Sequence, residues 1–503
     1  MSLTQIFKAD FLPRLIEIRI FTAIVSLLFS LVAFGIDDLI NSDGVLYMNM
    51  VRAFLEGGLT ETAQLFNWPF FSILVSGIHL LTGLSLETSG ELLNVLLFVL
   101  FTDSLVLICS KILPNSRQVF IAALFILGFT LFNDYRAYLF RDMGYWAFIG
   151  YSLYLLIKFS QKPSWFYALT WQGTMIMSIL FRIEGVVLLL AMPFYLFKAA
   201  PDWKKACKQI FMLWSVVIII VGIALSIALS QTSLVIAFGK ISEIISYIDF
   251  PTLLQDFQEK SEIINAQVMS NFDKDSGALI LASGLLVMML QKIITALSVS
   301  YIVFYIYTYF SKHAPQHIQS NYHQLFIFFV AVNFLILLMF VFKQYFLSTR
   351  YGVMLITGLF LLMLPRICTF VEDALLNKRR AILAFTLLIL ISGPLDTFTI
   401  SVSKAYIKDV ALWAAENLPE DAKVITFDTI TDYYLRENNP DLLTNLEVGG
   451  DPLESINYDY LVIVIKLRNK DLFDQINLQG HKIIYTSSNK RGDKAIVVKV
   501  NHS

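Results

Sequence analysis

The sequence predicts an α-helical polytopic membrane protein with about 11 transmembrane helices and a small C-terminal α/β domain. Of its 503 residues, 57% are hydrophobic and only 15% are charged, whereas soluble domains carry about 25% charged residues. Apolar runs of about 18 or more residues, long enough to span a bilayer, recur along the chain. After about residue 402, charged residues become more frequent and apolar runs shorten. We therefore assign 1–401 to a membrane domain and 402–503 to the C-terminal domain.

Apolar runs between polar connectors define the predicted spans. The first span begins near Ile20. The stretch before it is too polar and too long for a signal peptide, so we expect this span to be retained rather than cleaved. Several runs are short for a hydrocarbon core of about 30 Å. The predicted spans are 20–36, 89–110, 118–132, 144–160, 164–181, 185–198, 209–229, 280–310, 323–342, 352–370 and 381–399.

The stretch 68–84 decides the predicted topology. It is apolar but contains Pro69, His79 and two glycines, so we interpret it as a helix in or dipping into the interface. If this stretch does not cross the membrane, the basic connectors all face the cytoplasm, as the positive-inside rule requires. If it crosses, every later connector changes sides and the excess of Lys and Arg falls on the outer side. These connectors carry Lys8, Arg14, Arg19, Lys111, Arg117, Lys158, Lys162, Lys198, Lys204, Lys205, Lys208, Lys378, Arg379 and Arg380.

Two long loops are then predicted on the outer side, within 37–88 and 230–279. In the first loop an apolar stripe at helical spacing predicts an amphipathic surface helix that ends at Gly57-Gly58. The second loop is also amphipathic and could form a lid or a docking element for substrate. The stripe in the first loop consists of Val45, Met48, Val51 and Leu55.

The segment 402–503 alternates helical and strand-like patterns, which is typical of a small α/β domain. A helix is predicted over 403–417, followed by a strand in LPEDAKVITFD and a helix in TITDYYLRE. YDYLVIVIK predicts a buried strand, RNKDLFDQI a helix, and HKIIYT and KAIVVKV the closing strands. With eleven spans and a cytoplasmic N-terminus, this domain is expected outside the cytoplasm.

Composition and motifs argue against several other classes of protein. The net charge of −1 and the lack of a Lys/Arg-rich patch give no indication of nucleic-acid binding. The three cysteines, Cys109, Cys207 and Cys368, show no metal or disulfide spacing. The histidines show no paired metal-binding spacing, and no phosphate-binding loop, dinucleotide fingerprint or nucleophile elbow occurs.

Asp43 follows the first span and opens the predicted surface helix in NSDGVLYMNM. One interpretation is an N-cap, because aspartate accepts backbone N–H bonds at helix starts. The other is a general base that takes a proton from an incoming hydroxyl or amine. The two roles are compatible, because a capped helix start holds the carboxylate in place. Asp37 and Asp38 are nearby alternatives, more typical of solvated interface residues.

Arg141 and Asp142 lie at the mouth of a span in YLFRDMGYW. Such a pair can be a plain interfacial ion pair or a snorkelling anchor. Alternatively, Asp142 binds a metal or acts as a second acid, while Arg141 or Arg136 binds a phosphate. Arginine suits phosphate because its planar fork makes two charge-assisted hydrogen bonds at once.

Two further charged motifs also border spans. Arg182 and Glu184 occupy a short break, where they can form an ion pair that closes a tight turn before a glycine. Arg350 and Tyr351 open a later span in LSTRYG. With Lys343 and Tyr345 they predict a basic patch rimmed by aromatic rings, which suits a lipid-linked phosphate, although aromatic belts occur at any membrane interface.

In this order the motifs resemble the GT-C superfamily of integral-membrane glycosyltransferases, which includes protein O-mannosyltransferases, aminoarabinose transferases and oligosaccharyltransferases. The likeness rests on DGVLYMNMVRAFLEGG, NWPFFSILVSGIHLLTG, RDMGYW, FRIEG and STRYGVMLITGLFLLMLP, and on the outer domain that begins LPEDAKVITFD. It covers nearly the whole chain.

The resemblance implies sugar transfer from a polyprenyl-phosphate donor to an acceptor outside the cytoplasm, in a bacterial inner membrane. Asp43 matches the catalytic aspartate of the first loop and Asp142 the acid of the second, with Tyr47 and Glu184 in support. Arg350, Tyr351, Arg182, Arg141 and Lys343 are the expected donor-phosphate residues. Some members bind a divalent cation near the two acids, so Asp43 and Asp142 are its expected ligands. The expected partners are the lipid-linked sugar, membrane lipid and an acceptor that is a lipid, a glycan or a protein.

The sequence departs from the family pattern in two places, and these bear on the function that the resemblance implies. Asp43 is followed by Gly44, where many relatives have two adjacent acids, and no WWDYG signature occurs, which argues against N-glycan transfer. Three rival functions stay open: a polymerase or ligase of the O-antigen type, a lipid-linked-sugar transporter or flippase, and a non-catalytic binding protein. A transporter predicts internal repeats and broken helices at mid-membrane, and no clear repeat is visible.

Overall fold

The computed structural model describes residues 13–36, 39–230, 249–270, 272–273, 275–312, 322–395, 398, 404–450, 452, 457–469, 471–478 and 481–501. The chain divides into two compact units. The first comprises Met1–Leu27, Leu96–Asp134 and Arg141–Pro394, and the second comprises Leu28–Val95, Tyr135–Phe140 and Leu395–Ser503.

Helices occupy every one of the predicted spans. In chain order the helices of this region are α1 (Leu15–Ile36), α2 (Ser42–Leu65), α3 (Phe70–Thr82), α4 (Leu86–Ile112), α5 (Ser116–Gly128), α6 (Thr130–Asp134), α7 (Asp142–Gln161), α8 (Trp165–Phe181), α9 (Gly185–Ala191), α10 (Leu196–Ala199), α11 (Trp203–Ser230), α12 (Phe250–Gln267), α13 (Gly277–Ala296), α14 (Val299–Phe310), α15 (His323–Gln344), α16 (Val353–Leu376) and α17 (Arg380–Leu395).

Among the described residues, five helices are long and apolar enough to cross a membrane: α1, α4, α13, α15 and α16 with the turn before it. Shorter apolar helices accompany them, namely α3, α5, Gly185–Ala199, α14 and α17. The protein is therefore a multi-pass helical membrane protein, as the composition predicts.

Three predicted spans are interrupted in the structure. The run 280–310 is divided into α13 and α14, because Ser298 adopts a left-handed backbone with φ 62°. The run 118–132 breaks at Phe129, between α5 and α6. The run 185–198 contains a 3₁₀ turn, Met192–Tyr195, in which Pro193 cannot donate an α-helical hydrogen bond.

The stretch 68–84 forms α3, a helix of 13 residues. At a rise of about 1.5 Å per residue it is roughly 20 Å long, shorter than the ~30 Å hydrocarbon core. Gly83 ends it with a left-handed φ of 71°. This length fits the predicted helix that does not cross, and the topology built on it stays a prediction.

The first loop contains the predicted amphipathic helix. Helix α2 begins at Ser42, and Gly58 interrupts it with a φ of 70°, close to the predicted end. Val45, Met48 and Val51 of the predicted stripe are buried, whereas Leu55 is 38% exposed. In the second long loop, residues 231–248 lie outside the described part, and α12 is the amphipathic helix beyond them.

The first unit is a helix bundle with an aromatic core. The Phe129 ring stacks on Phe360 of α16 with 4.4 Å between centroids, and Phe132 lies edge-on to Phe101 of α4 at 4.9 Å. Gly128, at the end of α5, lets α17 approach closely, since a Cβ there would lie 2.6 Å from the Leu390 carbonyl oxygen. Small residues allow such backbone contact between membrane helices.

The C-terminal domain begins with α18 (Ala405–Asn417), close to the predicted boundary. It continues with β1 (Lys423–Thr426), α19 (Thr429–Asn438), β2 (Leu443–Leu446), β3 (Tyr460–Ile465), a 3₁₀ turn (Leu467–Asn469), α20 (Asp471–Leu478), β4 (Lys482–Ser488) and β5 (Lys494–Lys499). The compact unit that holds this domain also includes Leu28–Val95 and Tyr135–Phe140, which the sequence assigned to the membrane domain.

The sheet has the order β2-β1-β3-β5-β4, with β1 parallel to β2 and β3 and the remaining pairs antiparallel. Buried aliphatic side chains of the inner strands, including Ile425, Leu461, Ile463 and Ile496, form its core. The predicted α/β domain is confirmed. Strand β2 escapes the sequence analysis because it is a four-residue edge strand with no buried residue.

We expect Gly128→Ala to destabilise the helix bundle by about 1–3 kcal/mol, because the added methyl group would overlap the backbone of α17. The measurement is the thermal unfolding midpoint of the protein in detergent. Gly173→Ala is the matched control, since a Cβ at this position inside α8 meets nothing within 4 Å and alanine favours the helix. Equal midpoints for the two variants would contradict the close approach.

Candidate functional site

A buried ionic cluster joins three chain segments of the first unit. Asp142 is the first residue of α7, and Arg182 and Glu184 lie in the turn between α8 and α9. The Arg182 guanidinium forms ion pairs with both carboxylates, through Nη1 to Asp142 and through Nη2 to Glu184. Its Nε also donates to Glu184 at 3.2 Å. Arg182 therefore binds Glu184 with two nitrogens and Asp142 with the third.

Local packing brings these residues to one place. Helix α8 returns antiparallel to α7, and Gly144 lies so close to Phe181 that a Cβ would be 2.4 Å from the ring. The turn after Arg182 is tight, with the Gly185 N–H donating to the Arg182 carbonyl at 3.1 Å. A Cβ on Gly185 would lie 2.8 Å from the Ser178 hydroxyl. Glycines at both positions thus allow the charged groups to meet.

Asp142 and Arg182 are only 2% and 7% exposed. Burying ions is costly unless they are paired and hydrogen-bonded. Burial acts to raise the pKa of Glu184, but the charge and hydrogen bonds of Arg182, with a smaller contribution from Arg141, leave that pKa below its ordinary value. The Glu184 carboxylate is therefore ionised at neutral pH and holds Arg182 in place.

Tyr351 links Arg350 to this cluster. Both lie in a 3₁₀ turn, Thr349–Gly352, before α16. The Tyr351 ring lies 4.9 Å from the Arg182 guanidinium carbon and 5.0 Å from that of Arg350. Arg350 Nη2 also donates to the Tyr351 hydroxyl at 3.1 Å. Two guanidinium groups thus contact one aromatic ring, an arrangement that cation–π attraction favours.

The structure therefore brings together five of the predicted site residues, Asp142, Arg182, Glu184, Arg350 and Tyr351. Arg141 directly precedes α7 and acts electrostatically on Glu184. Lys343 lies in the last turn of α15. Tyr145 of α7, which the sequence analysis missed, has its ring 5.9 Å from Arg182. It carries no recognisable signal in the sequence, because a tyrosine in a span is ordinary.

Asp43 and Tyr47 belong to the second unit. The N-cap prediction for Asp43 is wrong, because Asn41 occupies that position and Asp43 lies within the first turn of α2. Negative charge in a first turn is favourable, since it faces the positive end of the helix dipole. Tyr47, one turn later, is buried with its ring 5.1 Å from Phe71. Asp37 and Asp38 lie outside the described residues.

Hydrogen bonds from two other segments hold the start of α2. The Asn41 side-chain oxygen accepts the Leu139 N–H at 2.7 Å. The Tyr434 hydroxyl of α19 accepts the Ile40 N–H at 3.0 Å and donates to the Glu87 carboxylate at 3.0 Å. Tyr434 thus connects the C-terminal domain to the chain three residues before Asp43, a contact that no sequence pattern indicates.

A second contact of the same kind lies further along α2. Arg52 forms an ion pair with Glu437, and its guanidinium carbon lies 5.4 Å from the centre of the Tyr433 ring. Both partners belong to α19 of the C-terminal domain. The first loop and this domain therefore share one polar interface.

Of the two expected metal ligands, Asp142 does not fit a divalent cation in this structure. The Asp142 carboxylate is bound by Arg182, so a cation would have to displace a buried guanidinium. Within the described part of the chain, no group of three or more His, Cys, Asp or Glu side chains could hold a metal ion.

Fold and cluster together define a multi-pass helical membrane protein that carries arginines and carboxylates at helix ends and a C-terminal α/β domain. No protein-family model matches the sequence, and no curated protein is significantly similar to it.

Three solved structures match this chain over most of its length. ArnT from Cupriavidus metallidurans in the apo state is 15% identical, with a TM-score of 0.44 over 95% of this chain and 97% of that chain. The same protein bound to undecaprenyl phosphate is 14% identical, with a TM-score of 0.43 over 96% and 98%.

The Archaeoglobus fulgidus oligosaccharyltransferase, tethered to an acceptor peptide, is 12% identical, with a TM-score of 0.42 over 88% of this chain and 69% of that chain.

We expect Arg182→Met to lower the free energy of unfolding by about 3–5 kcal/mol, because it leaves the buried Asp142 carboxylate and the partly buried Glu184 carboxylate without their cation. Arg52→Met is the control: its ion pair with Glu437 has side chains 31% and 44% exposed, and such pairs contribute at most about 1 kcal/mol. Thermal unfolding in detergent measures both. If the two variants lost a similar amount of stability, burial would not explain the effect of the Arg182 substitution.

We expect Tyr434→Phe to increase hydrogen exchange of the amides at 40–44 while leaving the rest of the chain unchanged, because the Ile40 N–H loses its acceptor. Hydrogen–deuterium exchange with mass spectrometry reports this peptide. Tyr458→Phe, which removes a hydroxyl bound to Asn445 inside the same domain, is the matched control. Unchanged exchange at 40–44 in Tyr434→Phe would exclude the contact.

Proposed function

We propose that this protein is a glycosyltransferase that moves a sugar from a polyprenyl-phosphate donor to an acceptor outside the cytoplasm. The observation that carries the proposal is the contact of Arg182 and Arg350 with one ring, Tyr351, beside Arg141. Guanidinium groups gathered at a helix end suit a phosphate, which they bind through bidentate, charge-assisted hydrogen bonds.

The geometry refines the proposed roles of the arginines. Arg182 uses Nε, Nη1 and Nη2 on two carboxylates, so we assign it to positioning and to positive charge rather than to direct contact with the donor. Arg350 is the proposed phosphate ligand, with Tyr351 holding its guanidinium in place. Arg141 and Lys343 are proposed to add to the positive potential that attracts the donor.

In the proposed reaction, Asp43 takes the proton of the acceptor hydroxyl or amine. The acceptor atom then bonds to the anomeric carbon, and the bond from that carbon to the phosphate oxygen breaks. Its electron pair stays on the departing polyprenyl phosphate, whose charge Arg350 stabilises. Attack opposite the leaving group inverts the anomeric centre.

Asp43 is assigned as the base because of its place in the first loop and the way that loop is held. Tyr434 and Asn41 hold the chain immediately before α2, so the carboxylate belongs to a supported helix start. A catalytic group that the surrounding structure already holds in place loses less entropy when it reaches the productive geometry.

The contacts within each unit also support the proposed topology. Asp142, Glu184 and Tyr351 come from three different connections between helices, and their meeting at Arg182 fits one shared membrane face. The first loop contacts the C-terminal domain through Arg52 and Glu437, which fits a common compartment for these two. With the basic connectors inside, we propose that these elements are periplasmic in a bacterial inner membrane.

We expect Asp43→Asn to reduce sugar transfer by about 10²–10⁴-fold, the usual cost of losing a general base. The assay incubates the purified protein in nanodiscs with radiolabelled polyprenyl-phosphate sugars and a panel of lipid, glycan and protein acceptors. Glu56→Gln, which removes an exposed acid from the same helix, should retain activity. Near-normal transfer by Asp43→Asn would remove Asp43 from the role, and absence of transfer by the wild-type protein with every donor would refute the function.

A further inference from the structure

Arg366 lies within the apolar helix α16, between Pro365 and Ile367, and is partly buried. Ionisable residues inside membrane-spanning helices are costly and ordinarily pair with opposite charges. Arg19 of α1 follows this rule, since it binds the Asp103 carboxylate with two hydrogen bonds of 2.7 and 2.8 Å. Arg366 is different, because no carboxylate pairs with it among the residues the structure describes.

The groups that contact Arg366 are uncharged and belong to the end of α14. Its Nε donates to the Thr308 hydroxyl at 3.0 Å, and its Nη2 donates to the Thr308 carbonyl at 3.2 Å. The guanidinium carbon lies 3.5 Å from the centre of the Tyr309 ring. These contacts fix the orientation of the fork and leave Nη1 without an acceptor within the described ranges.

Nearby acids of α16 are engaged elsewhere. Glu372 accepts a hydrogen bond from the Gln118 amide at 2.7 Å and pairs with Arg117 at 3.5 Å. Asp373 pairs with Arg379. Neither carboxylate pairs with Arg366, so a counter-charge for Arg366 is expected from outside the described residues.

Two tyrosine hydroxyls border the guanidinium. Tyr305 and Tyr309 lie one turn apart on α14, and their hydroxyls are hydrogen-bonded at 3.0 Å. Tyr309 is half exposed, and an exposed lysine, Lys312, follows the end of the helix. Tyrosines and basic residues at a helix end are typical of the level of lipid headgroups.

We propose that Arg366, Thr308, Tyr305 and Tyr309 form a binding site for the phosphate group of an anionic membrane lipid. Arg366 would donate to the phosphate oxygens through Nη1. One of the two tyrosine hydroxyls, the one whose proton is not used in the bond between them, would donate to the same group. Thr308 and Tyr309 hold the guanidinium group of Arg366 in a fixed orientation, which reduces the entropy lost on binding.

This site is separate from the cluster at Arg350. Sixteen positions along the chain at about 1.5 Å per residue place Arg366 roughly 24 Å from Arg350 along the axis of α16. In a helix that crosses the membrane, that distance puts the two groups toward opposite faces. The proposal therefore stands independently of the transfer reaction.

The test compares lipid binding to the full-length protein by native mass spectrometry during titration with phosphatidylglycerol or zwitterionic phosphatidylcholine. We expect the wild type to prefer phosphatidylglycerol and Arg366→Gln to bind it about tenfold more weakly, the effect of losing roughly 1.4 kcal/mol of charge-assisted hydrogen bonding. Arg366→Lys keeps the positive charge but loses the planar guanidinium group, so its affinity for phosphatidylglycerol should lie between those of the wild type and Arg366→Gln. Arg379→Gln, which removes an arginine that already has a carboxylate, should bind like the wild type.

Unfolding midpoints recorded for each variant separate binding from folding, and Tyr309→Leu tests the site with Arg366 retained. Unchanged preference for phosphatidylglycerol in folded Arg366→Gln would overturn the proposal. Displacement of the lipid by millimolar inorganic phosphate would assign the site to the free ion and overturn its assignment to a lipid.

Discussion

The cost of placing charge in apolar surroundings governs this structure. Arg182 is almost fully buried, and it is stable there because it binds Asp142 and Glu184 at the same time. The buried Asp142 carboxylate would be costly without this cation. This requirement brings the start of α7 to the turn between α8 and α9, and the Tyr351 ring then adds the 3₁₀ turn before α16. The candidate site is thus assembled by charge compensation.

The same constraint acts elsewhere in the first unit. Arg19 on α1 and Asp103 on α4 form a bidentate pair, and the Tyr151 hydroxyl of α7 donates to the same carboxylate at 2.7 Å. Three helices are therefore joined by one polar contact within apolar surroundings. Arg366 shows the opposite case, in which the described residues supply a hydroxyl group, a carbonyl group and a ring but no carboxylate. That contrast is the reason for expecting a ligand at Arg366.

In the second unit, polar contacts connect the C-terminal domain to the first loop. Tyr434 accepts the Ile40 amide, and Glu437 pairs with Arg52. The conformation at the start of α2 therefore depends on a domain almost 400 positions later in the sequence. This gives the C-terminal domain a role in supporting the loop that carries Asp43, in addition to any binding of its own.

Most helices and strands could be predicted because their signals are local. The exceptions are places where a local signal was weak or was overridden. The run 280–310 is apolar throughout, so nothing in its composition indicates the left-handed turn at Ser298. Asp43 has the chemistry of an N-cap, yet Asn41 takes that position, and the residues just before the helix are held by contacts with Leu139 and Tyr434.

The amino-acid sequence by itself determined the class of protein, the positions of its helices, the C-terminal α/β domain and the residues that carry charge beside the spans. These properties follow from hydrophobicity and periodicity, which depend on neighbours along the chain. Only the tertiary structure decided that Arg182 also pairs with Asp142, that Arg350 joins them through Tyr351, and that Arg366 has no acid partner among the described residues. Pairing depends on distance in space, and packing of the helices sets that distance independently of separation along the chain.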